Sequence, residues 1–208
     1  MSSIPPSVGQ ALAIRDTTAN PAPLGLCCFG MTTVLLNLHN AGFFDLNASI
    51  LAMGLFYGGA TQMIAGVMEW KKNNTFATLA FTSYGAFWIV VVGLLVLPKL
   101  VAGTPAAAAF PPASAVTVGW FMTLWGGFSA VLFIGTFRLN VALQVVFGSL
   151  VILFALLAAH YFLESPELGT IAGYEGIFCG LSAIYTGLAQ VINEVYKRVI
   201  LPIGPVAV

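Results

Sequence analysis

The sequence predicts an all-α integral membrane protein with six transmembrane helices. Two observations carry that prediction. Between Asn20 and Val199 lie six stretches of about 17–25 mostly apolar residues, the length that crosses a bilayer core as a helix. Of the 208 residues, 59% are hydrophobic and 7% charged, with a mean hydropathy of +0.97. A soluble domain carries about 25% charged residues, so this composition cannot build a water-facing surface. Six spans leave almost nothing over for a soluble domain, which puts the function inside the membrane and suggests passage of a solute.

Residues 1–18 are polar, contain Pro5 and Pro6, and lack a positive segment followed by an apolar core. They read as a flexible tail rather than a signal peptide. The transmembrane domain then covers 19–199, and 200–208 form a short tail. Span 1 is expected over Pro21–Leu38, span 2 over Ala48–Met68 and span 3 over Phe76–Leu97. The loop Gly103–Ser114 (GTPAAAAFPPAS) is too rich in proline for a helix interior. Span 4 is expected over Val116–Phe137, span 5 over Val141–Phe162 and span 6 over Ile171–Tyr196, with a loop from Glu164 to Thr170.

Charge sets the expected orientation. Arg15, Lys71, Lys72, Arg138, Lys197 and Arg198 fall on one face, and only Lys99 falls on the other. Basic residues favour the cytoplasmic side, so both termini are expected in the cytoplasm and the protein in the cell (inner or plasma) membrane. The net charge of +0 argues against nucleic acid as a partner. Cys27, Cys28 and Cys179 lie in apolar stretches without CxxC spacing, which gives neither a disulfide framework nor a metal site. The pairs Gly54/Gly58 and Gly176/Gly180 have GxxxG spacing and permit close helix contact, within the protomer or between protomers. Tyr84 and Tyr185 occupy loosely similar places in spans 3 and 6, a weak hint of a three-plus-three design.

Ionisable residues mark function inside membranes. Here His39, Glu69, His160, Glu175 and Glu194 all sit toward span ends. No mid-span carboxylate relay, haem ligation or protease nucleophile is visible. No enzyme activity, cofactor or metal is therefore expected, and no residue is assigned a catalytic role. The polar residues left mid-span are neutral: Thr32, Thr33, Tyr57, Gln62, Thr82, Ser83, Tyr84, Thr123, Ser129, Gln144, Ser149, Ser182 and Tyr185. Each can be a helix–helix hydrogen bond. Together they fit a narrow pore lined by donors and aromatic rings.

Span 1 opens with Asn20, Pro21, Ala22, Pro23, Leu24, Gly25 and Leu26. Asn20 suits an N-cap and Pro21 a first helical position. The helix start could attract an anion, although two prolines remove two N–H donors; a sharp helix start explains the segment equally well.

NPAPLGL resembles the signature of the succinate–acetate permease family, also called the acetate uptake transporter family. FGMTTVLLNLHNAGFF (Phe29–Phe44), ILAMGLFYGG (Ile50–Gly59), NTFATLAFTSYGAFW (Asn74–Trp88), ALQVVFGSLVILFALLA (Ala142–Ala158) and CGLSAIYTGLAQVINEVYKRVILPIG (Cys179–Gly204) also resemble bacterial members. The resemblance runs from about Asn20 to Gly204 and weakens in the loops after Lys99 and after Glu164. It implies a six-helix bundle like that of the urea channels, assembled as a homohexamer with a separate path in each protomer. The implied solutes are acetate and other short monocarboxylates, with succinate in some members, carried by a channel-like or a proton-coupled route. The implied constriction is Phe29, Tyr84 and Leu150. Ala183 matches a small residue that influences substrate size, and Thr32, Gln62 and Asn20 are implied along the path. The competing expectation is a facilitator for a small neutral or cationic solute such as urea or ammonium.

Overall fold

The computed structural model describes residues 17–206. Arg15, most of the amino-terminal tail and the last two residues lie outside them. Six long helices carry nearly all of the rest: α1 (Ala22–Asn40), α2 (Ala48–Lys71), α3 (Thr75–Leu100), α4 (Ala115–Thr136), α5 (Val141–Leu163) and α6 (Pro166–Tyr196). Each is long and apolar enough to span a bilayer. Because six crossings alternate in direction, residues 17 and 206 lie at the same end, called here the terminal face.

Local chemistry starts most of these helices. The side chain of Asn47, Asn74, Ser114, Asn140 or Ser165 accepts a hydrogen bond from an otherwise free N–H of the helix that follows. Asn74 also donates to Glu69 Oε2 at 2.8 Å, which ties the end of α2 to the start of α3. The expected loop from Glu164 to Thr170 is overturned at Pro166. Ser165 caps, Pro166 supplies the first turn, and Glu167 sits in that turn. The result is a 31-residue helix, about 46 Å long at 1.5 Å per residue and longer than the hydrocarbon core. The expected cap at Asn20 is shifted as well. Pro21 holds the cap position, and Asn20 instead accepts from Ala22 N at 3.1 Å and donates to Gln190 Oε1 at 2.9 Å.

Around the bundle the helices follow the order α3–α2–α1–α6–α5–α4. The first three and the last three form two halves joined along α1 and α6. That seam is built on glycine. A Cβ on Gly30 would lie 2.6 Å from Gly180 O, and one on Gly180 would lie 2.7 Å from Gly30 O. Gly173 faces the backbone of Ala41, Gly176 the side chain of Asn37, and Gly187 the chain at Pro23–Cys27. Gly54 meets Val92 of α3, and Gly58 meets Thr32 of α1. Both GxxxG pairs therefore serve packing inside the protomer.

The middle of α2, Met53–Thr61, is wound as a π-helix. Thr61 Oγ1 donates to Phe56 O, five residues back, at 2.9 Å, and the widened turn brings Gly59 O against Gly85 of α3. At the terminal face, residues 200–206 fold back over the start of α5. Val141 N and Ala142 N, first-turn donors with no intrahelical partner, donate to Gly204 O and Ile203 O at 2.8 and 3.0 Å. Asn193 holds Ile200 N, Leu201 N and Leu201 O, and Tyr185 Oη donates to Pro202 O at 2.8 Å.

Large apolar side chains such as Phe56, Leu124, Val131 and Ile134 point outward, whereas Thr32, Thr33, Asn37, Gln62, Ser129 and Thr186 are buried. A lipid-facing surface with a polar interior is the arrangement the composition demands. Replacing Gly180 by Val forces a branched side chain into the Gly30 carbonyl. The expected cost is about 1–3 kcal/mol, read as a lowered Tm in detergent, with Gly127→Ala, whose Cβ meets nothing within 4 Å, as the control that stays near wild type.

Candidate functional site

A cavity of about 640 Å³ enters the bundle from the face opposite the termini. Helix α1 lines it from Phe29 to Asn40 and α5 from Leu150 to Tyr161. Eleven residues of helix rise about 16 Å, so the cavity descends through roughly half of a hydrocarbon core. Phe29 and Leu150 are its deepest residues on these two helices, both almost fully buried. Phe87, Trp88 and Val91 of α3 close a further wall, and Pro112 and Ala113 of the proline-rich loop reach its rim.

Beyond Phe29 the interior is filled by an aromatic layer centred on Tyr84. Its ring centroid lies 5.8 Å from Phe29, 5.9 Å from Trp125, 5.7 Å from Phe128 and 6.2 Å from Phe147. One turn along α3, Phe87 stacks on Phe121 at 5.6 Å and meets Trp125 and Phe154 at 5.0 and 5.5 Å. Helices α3 and α4 are thus held apart by rings rather than packed backbone to backbone. Ser129 Oγ donates to Trp125 O at 2.8 Å, so the 2.8 Å contact with Tyr84 is a bond from the Tyr84 hydroxyl to Ser129 Oγ. That bond satisfies the phenol and fixes the ring across the bundle axis.

The structure brings Phe29, Tyr84 and Leu150 to one level. The other expected path residues are distributed around it. Thr32 lies on the α1–α2 seam against Gly58, and its hydroxyl has no partner among the described residues. Gln62, one turn beyond Gly58 on α2, is fully buried with neither amide atom partnered there. Ala183 is fully buried on the inner face of α6, one turn toward the terminal face from the Gly30–Gly180 contact. Asn20 links the start of α1 to Gln190 at the far end of α6.

Most buried hydroxyls do not offer donors to a pore. Thr33 donates to Phe29 O, Thr136 to Phe133 O, Ser149 to Val146 O, Ser182 to Cys179 O and Thr186 to Ser182 O. Each proton is spent on its own helix, which corrects the expectation of a donor-lined pore. Residues absent from the sequence-based site are Trp125, Phe128 and Phe147 in the aromatic layer and Asn37 on the cavity wall. The signal for the first two was present: Phe121, Trp125 and Phe128 recur at i, i+4 and i+7, one face of a helix.

Six lipid-facing helices around a funnel closed at mid-depth by aromatic rings define a multi-pass membrane protein. Within that class, the chain belongs to the GPR1/FUN34/yaaH family, whose model matches residues 5–207. It is 50% identical over 186 residues to the succinate-acetate/proton symporter SatP of Escherichia coli K12, covering 89% of this chain and 95% of that one. It is 30% identical over 200 residues to acetate permease A of Emericella nidulans, covering 89% of this chain and 66% of the relative. The solved structure of the bacterial acetate channel SatP superposes with a TM-score of 0.85 at 49% identity, over 90% of this chain and all of that one.

Ser129→Ala leaves the buried Tyr84 hydroxyl without an acceptor and is expected to cost about 1–3 kcal/mol. Adding Tyr84→Phe removes the stranded group, so the double variant should be less destabilised than the sum of the singles. A thermal-unfolding double-mutant cycle in detergent reads this coupling. Asn20→Ala removes the α1–α6 link and is expected to lower stability by roughly 0.5–2 kcal/mol in the same assay.

Proposed function

We propose that this protein carries acetate and related short carboxylates, succinate among the larger ones, across the cell membrane through a path within each protomer. The observation that carries this reading is a funnel that ends on Phe29 and Leu150, with Tyr84 pinned behind them. Membership of the family and the printed activities of its relatives supply the solute class. The basic residues Lys71, Lys72, Arg138, Lys197 and Arg198 belong to the terminal face, which by the positive-inside rule is cytoplasmic; the funnel then opens outward. The protomers assemble as a homohexamer, as the family resemblance implies. The protein moves its solute without altering it.

The physics of the closure explains the choice of solute. Stripping a carboxylate of water in an apolar medium costs tens of kcal/mol in the idealised limit. A closure one aromatic layer thick keeps the stripped distance short and admits only a narrow solute. The methyl of acetate suits the rings, while its carboxylate needs donors on either side. Gln62, at about the level of the rings, and Thr32, one turn of α1 toward the mouth from Phe29, are the groups suited to receive it, because their polar atoms are buried without partners among the described residues and an unmet buried amide costs about 1–3 kcal/mol until something bonds to it. Ala183 leaves room on the terminal side, and a larger residue there narrows the exit. A proton travelling with acetate removes most of the desolvation cost.

Uptake of labelled acetate into proteoliposomes, with voltage and pH gradient set independently, tests the reading. Uptake that follows voltage without a pH gradient marks an anion channel. Uptake that needs the pH gradient and ignores voltage marks movement with a proton. Absence of acetate uptake from folded protein, with uptake of urea or ammonium, overturns the carboxylate assignment. In the same assay, Phe29→Ala and Leu150→Ala are expected to admit succinate more readily relative to acetate, by several-fold. Unchanged selectivity in both variants would remove these residues from the constriction.

A further inference from the structure

Two histidines stand at the mouth of the funnel in the same local geometry. His39 is in the last turn of α1 and His160 in the last turn of α5, and both line the cavity. His39 Nδ1 lies 2.9 Å from Phe44 O, and His160 Nδ1 lies 2.6 Å from Ser165 O, each five residues further along the chain. A carbonyl oxygen only accepts, so Nδ1 carries the proton in both rings. The tautomer is thereby fixed and Nε2 is left as the basic nitrogen. Neither Nε2 has a partner among the described residues, and neither is sealed off by protein. The His160 ring packs against Gly169 of α6, where a Cβ would sit 3.0 Å from the ring.

The charges around this mouth are sparse. Asp45 is in the turn after His39, Glu164 and Glu167 are in the turn and first helical turn after His160, Tyr174 and Glu175 lie on α6, and Lys99 lies near the end of α3. Helix α4 carries no titratable residue, and α2 carries none at this end. Glu167 is engaged by Ser165 Oγ at 2.7 Å. None of these groups lines the cavity; Tyr161, whose ring is 4.8 Å from that of His160, does. Among the described residues no carboxylate and no permanent cation lines the cavity, and the two imidazoles are its basic side chains.

We propose that His39 and His160 form a pH-dependent capture site for carboxylate anions at the mouth of the funnel. The inference rests on the transport reading and adds to it the step before the constriction. Histidine is the side chain whose charge changes between pH 8 and 5. When Nε2 takes up a proton, Nδ1–H stays on its backbone carbonyl, and the new Nε2–H becomes a charged donor to an anion in the funnel. The last turn of a helix favours a cation, which suits both positions. Acidification of the outer side then concentrates carboxylate in the funnel, where the solute meets Phe29 and Leu150.

The test uses the full-length protein, labelled with ¹⁵N-histidine and held in lipid nanodiscs. Sodium acetate is titrated at pH 5.5 and 7.5, and the two imidazoles are assigned with His39→Asn and His160→Asn. Asn retains an amide N–H for the backbone carbonyl but has no basic nitrogen. The expected result is a saturable shift of both imidazole signals at pH 5.5, with at least tenfold weaker apparent affinity at pH 7.5. Equal affinity at the two pH values, unmoved imidazole signals, or the same shifts from sodium chloride at equal concentration overturns the proposal. In proteoliposomes, the double Asn variant is expected to lose the acid-induced fall in half-saturating acetate. A double variant with the wild-type pH profile overturns capture and leaves transport standing. A wild-type protein that carries no carboxylate overturns transport itself.

Discussion

The backbone-to-backbone contact of Gly30 with Gly180 is the constraint on which the rest of this bundle depends. In lipid, no hydrophobic force pushes apolar helices together, so their association depends on close packing and on few polar contacts. A side chain on either glycine would meet the other's carbonyl within 2.7 Å. The seam therefore lets the backbones of α1 and α6 approach directly, and Gly173, Gly176 and Gly187 continue it toward both faces. It joins the two three-helix halves on one side. On the other side α3 and α4 are separated by the rings of Tyr84, Phe87, Trp125 and Phe128. A bundle closed tightly on one side and propped open by aromatic rings on the other has space inside, and the funnel is that space.

Phe29 immediately precedes Gly30 in α1. The seam that fixes Gly30 therefore fixes the depth and direction of Phe29, and Tyr84 meets it from across the axis. The Tyr84 hydroxyl is the one polar group in the aromatic layer with a cross-bundle bond among the described residues. Its acceptor, Ser129, is in turn held by Trp125 O. The closure is thus a supported arrangement of rings, not a loose apolar patch. The orphaned amide of Gln62 and hydroxyl of Thr32 lie outside that support, on the α1–α2 seam beside the π-helical stretch. Together with Glu69 Oε1, Trp88 Nε1 and Glu175 Oε2 they are the buried side-chain polar atoms left without a partner among the described residues, a feature that calls for an explanation such as a received ligand.

Much of the chemistry near the funnel resides in helix ends. His39 and His160 repeat one device: an imidazole in the last turn bonds to a carbonyl of the turn that follows. Asn74, Asn140 and Ser165 repeat another at helix starts, and Asn74 also gathers in the buried Glu69 carboxylate. Since lipid cannot satisfy a backbone group, each helix end must find its partners within the protein. The carboxyl-terminal residues 200–206 serve the same need for α5, whose first N–H groups they accept.

The sequence by itself determined the number of spans, their approximate limits and the family. These are local or linear properties: bilayer thickness sets span length, and a motif is read in register. The early start of α6 at Pro166 has a local signature, Ser165-Pro166-Glu167, although the expected loop ran on to Thr170. What only the tertiary structure decided was direction. These helices are apolar all round, so no polar stripe marks the face that turns inward. Sequence therefore could not tell that Thr33 faces the funnel while Thr32 faces α2, or that Asn37 lies on the cavity wall. Nor could it tell that most mid-span hydroxyls donate to their own helix instead of lining a pore. Each depends on the rotation of a helix about its axis, and that rotation is set by glycine contacts between segments about 150 residues apart.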